Sequence, residues 1–199
     1  LSKSPFQDHF AVIDLETLAA GSDAPILSLG LTVGRYDDTD QSFDTLIAGG
    51  LYLKFNLKEQ LEKGRKPSER VVNWWYQQDA TAKKVLGPDP ANEVSLYDIK
   101  SHLLNFFQSK GLDIKQIDLY DRNCFDISKL QYLVEEELKE DVFWNYHQTF
   151  DIPTAFRFLG FDRYGGVRVS DITGAVYHNA LHDAAVDQLR IYKCLHSEV

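Results

Sequence analysis

The sequence predicts one α/β domain on a mixed sheet, covering residues 1–199. Three observations lead there. Phe10-Ala11-Val12-Ile13 is an unbroken apolar run, the pattern of a strand covered on both faces. Leu27, Leu29, Leu31 and Val33 alternate with Ser28, Gly30 and Thr32 in strict period two. Helical patterns then dominate the second half, and strands followed by helices point to α/β organisation.

The first strand runs into Asp14-Leu15-Glu16-Thr17, and Ala24-Pro25-Ile26 leads into the second. A third strand pattern lies around Phe43–Ile47 and resumes at Leu51–Phe55 after Gly49-Gly50. Ser68 is placed as the N-cap of a helix carrying Val71, Val72, Trp74 and Trp75. Gly87-Pro88-Asp89-Pro90 breaks it, and Ser95 opens another helix through Leu103, Leu104 and Phe107 to Gly111. Ile117–Tyr120 reads as a strand, and Phe125–Leu138 as a helix with Leu130, Leu133 and Val134 facing inward. Val142–Phe150 is ambiguous, a short strand being favoured, and a closing helix begins near His178 with Leu181, Ala184, Ala185 and Leu189.

A chain of 199 residues with 44% hydrophobic and 26% charged residues has the composition of a folded, soluble protein rather than a disordered one. Its net charge of −9 argues against a surface coated in positive charge for duplex DNA. Acidity leaves nucleic-acid chemistry open, because divalent metals can supply the charge that holds a phosphate. No apolar run approaches the ~20 residues of a membrane span, and no signal-peptide pattern opens the chain. Cys124 and Cys194 give neither a disulfide framework nor zinc spacing, so the expected setting is a reducing cytoplasm. There is no Met, so the numbering need not be that of a gene product. The stretch from Lys58 to Arg70, locally basic, reads as solvated surface with contact to phosphates as the alternative, and the run Glu135-Glu136-Glu137 as a solvated helix face.

The chemistry lies in carboxylates. Asp14 and Glu16 share one face of a strand, and two acids beside a buried run conflict unless something compensates them. A divalent cation is one resolution and a solvated strand end another; Asp-x-Glu alone favours the second. Asp126 follows the Ile117–Tyr120 strand at a helix start, where an acid also suits the helix dipole. In His178-Asn179-Ala180-Leu181-His182-Asp183-Ala184-Ala185-Val186-Asp187, the two aspartates share one helical face.

Together these motifs resemble the DnaQ-like 3′–5′ exonucleases of the Asp, Glu, Asp, Asp, His subclass. Asp14-x-Glu16 is similar to the first motif, Asn123-x-x-Asp126 to the second, and His178-x-x-x-x-Asp183 to the third. His182-x-x-x-x-Asp187 has the same spacing; the first register is preferred because His178-Asn-Ala-Leu-His-Asp183-Ala matches the family pattern. Phe43-Asp44 through Lys58, Val72-Asn73-Trp74-Trp75-Tyr76-Gln77-Gln78, Phe143-Trp144-Asn145 and Phe150-Asp151-Ile152 resemble the branch of phage exonuclease A and related exoribonucleases. The likeness covers about residues 9 to 195. It departs at Gln148-Thr149-Phe150 and Pro153, where relatives often carry arginines.

The resemblance implies a ribonuclease H-like fold with a mixed sheet of about five strands between helices. It implies hydrolysis with two Mg2+ or Mn2+ ions, roughly 3.5–4 Å apart, clamping the attacking and leaving oxygens. Asp14 then bridges both ions, Glu16 and Asp183 hold the water-activating ion, Asp126 acts on the other through water, and His178 takes the water's proton. Thr17 and Leu18 become candidates for contact with the terminal nucleotide, plain core being the alternative for Leu18. His182 is read as a surface or supporting residue, and Asp187 as a supporting or surface charge. One of Trp74 and Trp75 is expected in the core, and neither is assigned to the site. The expected substrate is the 3′ end of single-stranded DNA, cut to 5′-mononucleotides. An exoribonuclease on the same scaffold is the alternative, and a non-hydrolytic nucleic-acid-binding protein a more distant one.

Overall fold

The computed structural model describes residues 7–196. β1 (His9–Thr17) pairs antiparallel with β2 (Ile26–Arg35), and β2 antiparallel with β3 (Leu51–Phe55). A short β4 (Glu93–Val94) runs parallel to β3 at that edge. On its other side β1 pairs parallel with β5 (Ile117–Asp121), which pairs parallel with β6 (Thr149–Asp151). The mixed sheet has the order β4-β3-β2-β1-β5-β6, six strands where about five were expected. The additional strand is the two-residue β4, too short to show any period in the sequence.

Each face of the sheet is covered. Ala11, Ile13 and Leu15 of β1, with Leu29 and Leu31 of β2, pack against α4 (Ile99–Ser109) and α5 (Phe125–Tyr132). Phe10 and Val12 face the other way, onto α6 (Ile152–Phe158) and the long α7 (Ala180–His196). Side chains alternate along a strand, so Asp14 and Glu16 also project to the α7 side.

Small residues seat α7 there. Gly30 is the ladder partner of Asp14, and a Cβ on it would lie 2.1 Å from the Ala180 backbone. Ala180, Ala184 and Ala185 are fully buried, letting the start of the helix press onto β2 beside the β1 acids. A third cluster of Leu18, Leu27, Trp75, Ala82 and Val85 braces the end of β1. Within it the indole N–H of Trp75, from α3 (Glu69–Tyr76), donates to the Thr17 carbonyl at 3.0 Å. Among the described residues no helix is long and apolar enough to cross a membrane.

Several expectations change. Phe43–Ile47 is not a strand but lies in α1 (Phe43–Gly49), because Ser42 caps it by accepting the Thr45 N–H at 3.2 Å. α2 (Leu57–Glu62) was not foreseen; its N-cap is Asn56, whose side chain takes the Glu59 N–H at 2.9 Å. The α5 helix ends at Tyr132 and continues only as a π-helical turn over Leu133–Glu137. α6 was also missed, and Pro153 sits in its first turn, where a missing N–H costs nothing. Lys58–Arg70 is not all surface: Arg65 is buried and pairs with Glu137 at 2.8 Å, so the acidic run is not wholly solvated either.

Candidate active site

The acids of β1, the start of α5 and the start of α7 converge at one end of the sheet. β1 lies between β2 and β5, so α7 approaches Asp14 and Glu16 from the β2 side and α5 from the β5 side. Glu16, His178 and Asp183 bring ligand atoms within 4.8 Å of one another. Asp14 and Asp126 are not members of that trio, yet Asp126 adds to the field on both Asp14 and Glu16, and Glu16 and Asp183 add to that on Asp14. Oδ1 of Asp126 is buried without a hydrogen-bond partner.

Local structure explains the placements. His178 is not helical; its φ of 59° is left-handed, and its N–H donates to Oδ2 of Asp183 at 2.9 Å. Asn179 caps α7, its side chain accepting the His182 N–H at 3.2 Å, which is why the helix begins at Ala180 rather than at the histidine. Asp126 opens α5, where Cys124, also left-handed, supplies no side-chain cap. Asp121 does so instead, one carboxylate oxygen accepting the N–H groups of Asp126 at 2.8 Å and Ile127 at 3.0 Å.

Burial raises the carboxyls of Asp14, Glu16 and Asp126 well above the usual range, and their mutual repulsion adds to it. Burial and the neighbouring Asp187 push Asp183 to about 7. For the His178 imidazole burial acts oppositely and favours the neutral ring. Hard oxygen donors, mutual repulsion and an orphaned buried oxygen are what a divalent cation compensates, so this donor set fits Mg2+ or Mn2+.

The two histidine–aspartate registers separate clearly. His182 Nδ1 accepts the Val176 N–H at 3.0 Å, and its ring lies edge-on to Phe43. Asp187 is bound by Arg122 at 2.5 and 2.6 Å and by Arg190 at 2.6 Å. Thr17 is buried, with its hydroxyl on the Ala19 carbonyl, and Leu18 is 6% exposed within its apolar cluster.

Sequence reasoning missed several neighbours. Trp74 stands edge-on to the His178 imidazole at 4.7 Å, and the buried Trp75 does so at 5.9 Å. Asp121, Arg122 and Asp151 also escaped it; Asp151 accepts the Asn123 N–H at 2.6 Å. For Asp121 and Arg122 the only signal was adjacency to the Asn123-x-x-Asp126 motif and to the end of a strand, and for Asp151 its place in the Phe150-Asp151-Ile152 stretch of the resemblance.

A mixed sheet with this strand order between helices is a ribonuclease H-like fold, and the chain is a DnaQ-like exonuclease. Its catalysis is 3′–5′ phosphodiester hydrolysis. More particularly, the chain belongs to the 3′–5′ exoribonuclease Rv2179c-like domain family, whose model matches residues 9–195. It is 28% identical to an exodeoxyribonuclease of Enterobacteria phage T4 over 207 residues, covering 89% of this chain and 85% of that one. Among solved structures it resembles cell-death related nuclease 4 with a TM-score of 0.57 at 13% identity, over 95% of this chain and 63% of that one. It also resembles Pop2p of S. pombe, solved with Mg2+ and Mn2+ bound, with a TM-score of 0.50 at 11% identity, over 92% and 81%.

Proposed function

We propose that this exonuclease removes 5′-mononucleotides from the 3′ end of single-stranded DNA, with divalent ions held by Asp14, Glu16, Asp126 and Asp183. The observation that carries the proposal is the meeting of Glu16, His178 and Asp183 within 4.8 Å, beside two further acids raised by burial. Two Mg2+ or Mn2+ ions, when bound, supply Lewis acidity to the phosphodiester and offset charge on the departing oxygen. In this reading Asp14, Glu16 and Asp183 would hold the ion that activates water, Asp14 would also serve the second ion, and Asp126 would assist that one through water.

His178 accepts the proton of the attacking water. Its neutral form is favoured by burial, and its backbone bond to Asp183 fixes where the imidazole starts from. The rings of Trp74 and Trp75, edge-on to it, limit its swing. Thr17 and Leu18, directly after Glu16, border the terminal nucleotide, Leu18 forming a firm apolar support backed by Trp75 and Val85.

The DNA reading draws on the phage T4 relative, and an RNA reading draws on the description of the family model. The test uses DNA and RNA strands of one sequence, labelled at the 5′ end, with Mg2+ or Mn2+ and with a chelator. The proposal expects a ladder shortening from the 3′ end on DNA, abolished by the chelator. Shortening of RNA alone replaces the substrate, and intact strands of both kinds in either metal refute the proposal.

A further inference from the structure

On this acidic chain, the loop between α6 and α7 gathers cations and aromatic rings beside the candidate site. The guanidinium groups of Arg122, Arg163 and Arg190 lie 5.7, 5.2 and 5.4 Å from the ring of Tyr164. A cleft of about 480 Å3 opens there, lined by Tyr164, Arg168, Tyr177 and Arg190 together with Asp162 and Asp171. Tyr177 is the residue before His178, so the cleft reaches the rim of the site.

The loop is held from beneath through its own carbonyls. Arg122 donates to the Arg163 carbonyl at 2.9 Å, Arg190 to that of Val167 at 2.9 Å, and Lys193 to that of Gly166 at 2.7 Å. Asp162 accepts the N–H groups of Tyr164 and Gly166 and shapes the turn. Arg122 and Arg190 are occupied by Asp187, whereas Arg163 and Arg168 are exposed and, among the described residues, neither forms a salt bridge, Arg168 feeling only the charge of Asp162. Tyr164 and Tyr177 are 45% and 50% exposed. Exposed guanidinium groups alternating with exposed rings on a pre-shaped loop are the chemistry that grips a single strand: charge for phosphates, rings for bases.

Direction follows from the chemistry of the site, so the inference rests on the function proposed above. In-line attack places water and leaving oxygen on opposite sides of the phosphorus. His178 marks the water side, over β2, and Asp126 lies across β1 on the β5 side. The leaving oxygen belongs to the remaining strand, which therefore exits past Asp126 and the Arg122–Asn123 turn. Arg122 is bonded to Arg163 at that turn, so the exit leads onto the loop. We propose that Arg163, Tyr164 and Arg168 form a strand-binding surface that holds the nucleotides upstream of the scissile bond, Arg163 and Arg168 on phosphates and Tyr164 against a base.

The experiment measures binding of two-nucleotide and ten-nucleotide single strands by fluorescence anisotropy in Mg2+ across a salt series, in an Asp14→Asn background that does not consume the strand. Adding Arg163→Ala and Arg168→Ala is expected to weaken the ten-nucleotide strand about tenfold and to lower the log–log salt slope by about 1.4, or about 0.7 for each lost phosphate contact. The two-nucleotide strand is expected to lose far less. Tyr164→Ala is expected to weaken the long strand at least about fivefold with the slope kept, and Tyr164→Phe to retain wild-type binding. Unchanged affinity and slope in the double arginine variant overturn the surface, as does an equal loss at both lengths. Hydrolysis of the p-nitrophenyl ester of thymidine 5′-monophosphate by the wild type tests the metal site separately. Failure there sinks the nuclease reading, whereas ester turnover with unaltered strand binding in the variants sinks only the loop.

Discussion

Arg122 clasps Asp187 through two hydrogen bonds, Nε to Oδ2 at 2.5 Å and Nη2 to Oδ1 at 2.6 Å. The pair ties the turn that leads into Asp126 to the helix that carries Asp183, four residues before Asp187, and so fixes the spacing of two acids from distant parts of the sequence. Asp187 keeps Arg190 when Arg122 is removed, so Arg122→Ala is expected to cost about 2 kcal/mol rather than the larger sum for an abandoned buried charge. Thermal unfolding should show a midpoint lower by about 4–8 °C, and an unchanged midpoint contradicts the clasp.

His178 and His182 differ in what they face, one the acid cluster and the other Phe43 and the Val176 N–H. His178→Ala is expected to lower kcat by at least about 100-fold, the lower bound for a lost general base. His182→Ala should change it only a few-fold. Turnover of a labelled strand checks both, and comparable kcat values in the two variants would reverse the assignment of the base.

Without metal, the acid cluster makes the fold sensitive to pH. Asp14, Glu16, Asp126 and Asp183 titrate above their unfolded values, Asp183 near 7, so the folded chain binds more protons than the unfolded one above about pH 4. Their contribution therefore favours the fold at low pH and is lost as pH rises through the folded values. In a chelator, Asp14→Asn is expected to raise the unfolding midpoint at pH 8 by about 4 °C or more, and by less at pH 5. Mg2+ should stabilise the wild type at pH 8 and the variant much less. An Asp14→Asn midpoint below that of the wild type in chelator contradicts the repulsion.

Asp121 stands in for the cap that Cys124 does not provide. Asp121→Ala is expected to cost about 1–2 kcal/mol of stability and to lower turnover further by loosening Asp126. Paired measurements of unfolding and kcat, made well below the melting transition, check it. Full turnover in a destabilised variant leaves Asp121 as a cap alone.

The central strands were legible because their signal is local. The apolar run of β1 and the alternation of β2 each report which face is covered, and the shared face of Asp14 and Glu16 follows from strand period alone. α1 was misread because Ser42 decides it through one hydrogen bond, against a sequence that alternates well enough for a strand. β4 escaped because two residues carry no period. In the candidate site, the motif residues could be proposed in advance, whereas Asp121, Arg122 and Trp74 join it only through contacts across the fold that no spacing reveals. The His178 register rested on motif fit; the engagement of Asp187 by two arginines supplies the physical reason to prefer it.

The most direct test of the acid cluster is anomalous scattering from crystals of the wild-type protein soaked in Mn2+. The account predicts a manganese peak among Asp14, Glu16 and Asp183 beside His178, and a second between Asp14 and Asp126, with both weakened or lost in Asp14→Asn. An empty cluster at saturating Mn2+, or a peak confined to another part of the surface, would contradict it.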